Sequence, residues 1–217
     1  MQFTTPSGAL EAQLSHVTVA GWTGRDGAAV QHHIEELAAL GVRPPSTVPL
    51  YYRVSPNLLT QARAIQVLGP DTSGEVEPLI LQVGGVFYLG LGSDHTDRAL
   101  EAVSVAASKQ ICPKPIAPML WPLADVQDHL DALTLSTEID ENGAWVSYQE
   151  GTFAAIRPLD ALIEGAALVE GSAMFCGTLA AVGGVRPAAA YRMTLTDPLR
   201  NRTITLRYAV ETLPNVS

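Results

Sequence analysis

Glu75-Val76-Glu77-Pro78-Leu79-Ile80-Leu81-Gln82-Val83-Gly84-Gly85-Val86-Phe87-Tyr88-Leu89-Gly90-Leu91-Gly92-Ser93-Asp94 is the stretch that decides the fold. Two short apolar runs flank a Gly-Gly pair, the composition of a tight hairpin turn between buried strands. Both runs are too short and too glycine-broken for the roughly 20 residues of a membrane-spanning helix. A hairpin brings its two open ends together, and here both ends carry carboxylates.

Upstream, Ile65 to Leu68 reads as a further strand, and with the hairpin it suggests a β-meander. Val17 to Ala20 reads as a strand, and Gly24-Arg25-Asp26-Gly27 as a turn whose Asp26 can cap a helix from Ala28 to Leu40. Val30, Ile34, Leu37 and Ala38 give that helix an apolar stripe, and Gly41 stands where a C-terminal cap belongs. Pro44, Pro45 and Pro49 end it and lead into an extended Leu50 to Val54. Downstream, Leu100 to Ser108 and Leu123 to Leu133 are expected to be helical. Strands return at Ala144 to Gln149, Ala173 to Gly177, Tyr191 to Thr196 and Thr203 to Val210. Strands dominate and helices are few, so the expected class is α+β.

A chain of 217 residues that is 47% hydrophobic can bury one sizeable core, and a single domain is expected over 1–217. A net charge of −9 disfavours nucleic acid and anionic membranes as partners and leaves a small molecule as the expected one. Cys112 and Cys176 have no paired spacing, and no leader-like segment begins the sequence, so a reducing cytoplasm is expected. Only Lys109 and Lys114 are lysines, against eleven arginines, so a lysine here is informative.

Glu75 and Glu77 bracket one valine, and strand side chains alternate, so both carboxylates share a face. A solvent-facing pair at a strand edge is the plain alternative. Asp94 follows the partner strand, which brings it near them. Three carboxylates with no nearby cysteine form a hard oxygen donor set suited to Mg²⁺ or Mn²⁺. His95 and Asp97 could contribute to a softer Zn²⁺ site, though His95 also reads as a polar loop residue. His33 and Glu36 lie three apart on the expected helix and could pair as a base and its orienting carboxylate, with His32 and Glu35 or Glu36 as the rival register. Cys176 reads as a buried, inert thiol.

Together and in order, these residues resemble the fumarylacetoacetate hydrolase superfamily from about Val19 to Val210. Gly24-Arg25-Asp26 and His33-Ile34-Glu35-Glu36 resemble its Gly-Arg-Asn segment and His-x-x-Glu dyad. Glu75-Val76-Glu77 resembles its metal pair, and Asp94-His95-Thr96-Asp97-Arg98 its Asp-x-x-x-Arg. Ser108-Lys109-Gln110 falls where it places an active-site lysine. Tyr148-Gln149-Glu150-Gly151-Thr152 and Cys176-Gly177-Thr178 resemble two further segments. The likeness is strongest to an uncharacterised bacterial branch.

The resemblance implies a strand-dominated mixed β-sandwich or roll with few short helices, and a homodimer. It implies metal on Glu75, Glu77 and Asp94, catalytic His33, Glu36 and Lys109, and substrate contacts from Arg25, Arg98, Gln149 and Thr178. The implied reaction is hydrolytic or decarboxylative C–C cleavage of a 2-oxo or 1,3-dicarbonyl acid, with isomerase, hydratase or a non-catalytic ligand-binding role as alternatives. Departures bear on the substrate. Glu101 stands where relatives that act on small 2-oxo acids usually carry Gln, and would repel a carboxylate unless protonated or paired. Ala99 replaces an aspartate, Leu179 a proline, and the interval from Asp94 to Lys109 is short.

Overall fold

The computed structural model describes residues 1–39 and 44–216. Two sheets make up the body of the described chain. The six-stranded sheet has the order Trp121–Pro122, Val86–Ser93, Val76–Val83, Ser172–Phe175, His16–Gly21, Leu50–Val54. The five-stranded sheet has the order Ala144–Thr152, Thr134–Glu141, Ala190–Asp197, Arg202–Leu213, Ala64–Leu68. The architecture is the α+β, strand-dominated one expected from the sequence.

The hairpin forms as read, with Val83 opposite Val86 and Val76 opposite Ser93. Gly84 and Gly85 turn it at φ of 61° and 73°, a region that glycine enters without the clash a Cβ brings. Its strands are apolar almost throughout because the sheet is covered on both sides. On one side, Leu79, Leu81, Val17 and Phe175 pack with Phe3, Ile116 and Leu120. On the other, Ile80, Leu89, Leu91 and Met174 pack against Leu135, Ile139, Met193 and Ile204 of the five-stranded sheet. Truncating any of these to alanine costs roughly 2 to 5 kcal/mol, since the close-packed interior cannot collapse around the gap. The strand Ala190–Asp197 shows the other regime: Tyr191, Met193, Leu195 and Asp197 are buried and the residues between them are only half-buried.

Asp26 caps the helix Gly27–Ala39 as expected, its Oδ1 accepting from the amides of Ala28 and Ala29 at 2.9 and 3.1 Å. Of the expected stripe, Ile34 is buried, Val30 half-buried and Ala38 exposed. The Gly41 cap lies outside the described residues.

Several expectations need correcting. Leu123 to Leu133 is not a helix but two short 3₁₀ turns, Leu123–Asp125 and Leu130–Ala132. Between them His129 is pinned by Asp197, 3.1 Å from its Nε2, and Val126 and Leu133 both turn into the core. Leu100 to Ser108 splits into helices Arg98–Glu101 and Val105–Ile111, broken where Ser104 Oγ caps the second by accepting from the Ala107 amide. There is no meander with Ile65 to Leu68: that strand pairs in parallel with Arg202–Leu213 in the other sheet. The strand Thr134–Glu141, the hairpin Gln2–Thr5 with Gly8–Glu11, and the helix Leu159–Ala166 were not expected.

Candidate metal centre

Strand directions concentrate the site. Val86–Ser93 and Ser172–Phe175 both run antiparallel to Val76–Val83, and His16–Gly21 runs parallel to Ser172–Phe175. The ends of three strands therefore meet the start of the fourth, placing Asp94, Gly177 and Thr23 beside Glu75 and Glu77. Asp94 is tied in directly, its amide donating to the Glu75 carbonyl at 3.0 Å.

Glu75, Glu77 and Asp94 each bring a carboxylate oxygen within 4.8 Å of the others. Glu77 is 2% exposed and Asp94 fully buried. Two glycines make room. A Cβ on Gly92, which pairs with Glu77, would sit 2.5 Å from the Phe175 ring. Gly177, at φ of 103°, donates its amide to Glu77 Oε2 at 2.7 Å, and a Cβ there would sit 1.6 Å from Thr23 Oγ1.

Three cations answer the carboxylates. Lys109 Nζ donates to Asp94 Oδ2, carried there by the helix Val105–Ile111. Lys114 Nζ lies 3.0 Å from Asp94 Oδ1 and donates to the His95 carbonyl. Its backbone is fixed by parallel pairing with Leu59 and by the bridge of neighbouring Ile116 to Gly92. Arg98 Nη2 lies 3.2 Å from Glu75 Oε1.

The protonation balance follows from burial against charge. Burial pushes the Asp94 carboxyl up, but Lys109 and Lys114 outweigh it and hold Asp94 below the usual carboxylate range. Glu77 goes the other way: burial first, then Asp94 and Glu75, push it well above that range. Glu75 is also raised, because burial outweighs Arg98. Burial would lower Lys109, yet Asp94 and Glu75 keep it above its ordinary value and charged.

Such a donor set fits a hard divalent cation. It is all oxygen, it gathers three carboxylates within 4.8 Å, and Asp94 Oδ1 is buried with a charge contact to Lys114 but no hydrogen bond of good geometry. Cation binding would offset the repulsion from Asp94 and Glu75 that adds to burial in raising Glu77.

The remaining expected residues divide. Gln149 and Thr178 come to the site, but from behind. Gln149 Oε1 accepts from the Val76 amide at 3.0 Å, and its Nε2 donates to Thr178 Oγ1 at 2.8 Å and to the Leu179 carbonyl at 2.7 Å. Thr178 Oγ1 donates to the Val76 carbonyl at 2.8 Å. Both grip the peptide between the two glutamates, and Gln149 is 1% exposed, its Oε1 also accepting from Thr137 Oγ1 at 3.4 Å.

Arg25 is engaged away from the triad. Its guanidinium is spent on Asp131, at 2.6 and 2.7 Å, and on the carbonyls of Ile156 and Phe153. It borders a cleft with Phe87, His129 and Ile163 that does not include the triad. His33 and Glu36 stay on the exposed helix, with Nδ1 to Oε2 at 3.5 Å, and His32 approaches the other Glu36 oxygen at 3.3 Å. An aromatic path leads from them to the site. The His33 and Trp22 rings are 6.1 Å apart, Trp22 Nε1 donates to Tyr52 Oη at 3.4 Å, and Lys109 Nζ lies 5.8 Å from the Tyr52 ring.

Sequence reasoning missed Lys114, Trp22, Tyr52 and the network behind the site. There His95 meets Tyr208 Oη at 3.1 Å and Thr72 Oγ1 at 2.9 Å, and Ser93 meets Tyr208 at 2.8 Å. His95 is a loop residue as read, between the strands Val86–Ser93 and Thr96–Asp97, but it is buried, its pKa lowered to about 3 by burial. Both its ring nitrogens face protein hydroxyls, so it is not placed as a zinc ligand. The scarcity of lysine was the available signal for Lys114.

Solved structures share the fold. A protein of Oleispira antarctica provisionally named a fumarylacetoacetate isomerase/hydrolase aligns at TM-score 0.70 and 16% identity, over 97% of this chain and 100% of that one. A yeast fumarylacetoacetate hydrolase family protein aligns at 0.67 and 15%, over 94% and 96%. A 2-keto-3-deoxy-D-arabinonate dehydratase, complexed with magnesium and 2,5-dioxopentanoate, aligns at 0.67 and 14%, over 94% and 75%. No curated protein matches the chain. With the fumarylacetoacetate hydrolase fold so placed around three carboxylates, and with residues 20–208 matching throughout, the chain belongs to the family described as "Protein of unknown function (DUF2848)".

Proposed function

We propose that the protein is a divalent-metal-dependent hydrolase or lyase that breaks a C–C bond in a small 2-oxo or 1,3-dicarbonyl acid. The observation that carries this reading is the convergence of Glu75, Glu77 and Asp94 within 4.8 Å, with a charged lysine against them. Glu75, Glu77 and Asp94 would hold Mg²⁺ or Mn²⁺, which when bound acts as a Lewis acid toward a carbonyl oxygen.

The chain's own residues supply the rest. Lys109, kept charged by Asp94 and Glu75, stabilises negative charge developing on the substrate oxygen. Arg98 fixes Glu75, while Gln149 and Thr178 fix the peptide between the glutamates. His33 Nδ1 faces Glu36, which leaves Nε2 to take a proton from water or from substrate carbon. Burial and the low local dielectric strengthen each of these contacts.

A dehydration or isomerisation is the second reading, favoured by the dehydratase whose fold this chain shares. Proton NMR of products formed in D₂O separates the two: fragments support cleavage, and an intact skeleton carrying deuterium supports proton movement alone. A metal-free ligand-binding module remains the non-catalytic alternative, and it requires that Mg²⁺ and Mn²⁺ fail to bind. We place the protein in the cytoplasm as a homodimer, a reading that sedimentation can test. Among the described residues no helix is long and apolar enough to cross a membrane.

A further inference from the structure

We propose that the site selects 2-oxo acids carrying a single negative charge, and that Glu101 rejects the same acids extended by a second carboxylate. This deepens the metal-dependent reading above and rests on it.

The cations of the cluster are paired with its own carboxylates. Arg98 Nε donates to Ser73 Oγ at 2.7 Å and Nη1 to Glu101 Oε2 at 2.8 Å, while Nη2 stands against Glu75. Lys109 and Lys114 take the two oxygens of Asp94. The arginine implied to hold a substrate carboxylate is therefore engaged with Glu75 and Glu101 and acts as a positioning residue for both, its buried Nη2 in charge contact with Glu75 but without a hydrogen bond.

Charge counting then limits the ligand. With the groups ionised for cation binding, Glu75, Glu77, Asp94 and Glu101 oppose Arg98, Lys109 and Lys114, leaving one net negative charge. A divalent ion converts this to one net positive charge. One ligand carboxylate cancels it, and a second overshoots, which is costly where water is excluded.

Glu101 is the carboxylate left outside the triad. Its side chain is 30% exposed, against 17% for Glu75 and none for Asp94, so it is the most solvent-accessible of the cluster's carboxylates. A ligand carboxylate brought beside Glu101 meets an anion whose one close cation, Arg98, is shared with Glu75.

The test is calorimetric titration of the Mn²⁺-loaded protein with 2-oxopentanoate and 2-oxoglutarate, which share a chain length and differ in the terminal charge. The wild type is expected to bind 2-oxopentanoate at least about tenfold more tightly. Glu101→Gln keeps an acceptor for Arg98 and removes the charge. It is expected to shrink the ratio by about tenfold in a protein that still binds Mn²⁺.

Equal or tighter binding of 2-oxoglutarate by the wild type would overturn the proposal and leave the metal-dependent reading standing. An unchanged ratio in Glu101→Gln would do the same for the role of Glu101. If Mn²⁺ binds but neither acid does, the 2-oxo acid reading and this proposal fall together. Glu101→Ala replaces the Gln variant if that one does not fold, and the wild-type ratio decides the charge preference independently of both.

Discussion

Lys114 Nζ stands 3.0 Å from Asp94 Oδ1 while Lys109 Nζ holds the other oxygen of the same carboxylate, so the two lysines of the chain converge on one buried aspartate. The pair offsets part of the repulsion among three carboxylates and keeps Asp94 ionised for a cation.

Replacing Lys114 with Met removes one of these charges from a fully buried position. Breaking a buried ion pair typically costs about 3 to 5 kcal/mol, because the remaining charge loses its partner. Lys109 still faces Asp94, so the lower end of that range is expected as a reduced urea midpoint of the metal-free protein. Saturating Mn²⁺ should restore part of it, since the ion supplies the missing positive charge.

Glu77 and Asp94 should give opposite pH dependences. Asp94 has a depressed folded pKa, so its stabilisation is present above its ordinary value near 3.8 and is lost as pH falls toward the depressed one. Glu77 has a raised folded pKa, so ionising it in the metal-free fold erodes stability as pH rises from near 4.5 toward the raised value. Mn²⁺ binding in mildly acidic buffer should therefore release a proton from Glu77. Calorimetry in buffers of different ionisation enthalpy measures that release, which should shrink as the buffer pH is raised.

Lys109→Ala should lower turnover of a verified substrate by ~10² to 10³, the usual loss when a preorganised charge stabiliser is removed. Steady-state kinetics under saturating Mn²⁺ reads the effect. Unchanged turnover would take Lys109 out of the chemistry.

Gly177→Ala combines left-handed backbone strain with a Cβ 1.6 Å from Thr23 Oγ1. Strain alone costs of order 1 to 3 kcal/mol. The loop must shift, and with it the amide that donates to Glu77. Both thermal stability and Mn²⁺ affinity should fall, whereas Thr23→Ser in the same contact should leave them nearly intact.

What the sequence revealed was local. The hairpin was legible because Gly84-Gly85 and two apolar runs are contiguous, and hairpin geometry alone then puts Asp94 across from Glu75. The cap at Asp26 was legible for the same reason. Long-range partners were not. Arg25 was singled out by resemblance, while its partner Asp131, 106 residues away, was not legible. Gln149 and Thr178 were found by resemblance, yet only the structure shows that they grip the Val76 peptide. Leu123 to Leu133 has a helical apolar pattern, but His129 binding to Asp197 bends the chain. Thr134–Glu141 alternates buried and polar residues, and its acidic outer face masked it.

The most direct test is the stoichiometry of Mn²⁺ binding, followed by electron paramagnetic resonance of the metal-stripped protein during titration. One ion per chain, bound through oxygen ligands and lost in Glu75→Gln, Glu77→Gln and Asp94→Asn variants that remain folded, is the predicted result. Absence of binding in the wild type, or equal binding after all three carboxylates are neutralised, would contradict the account.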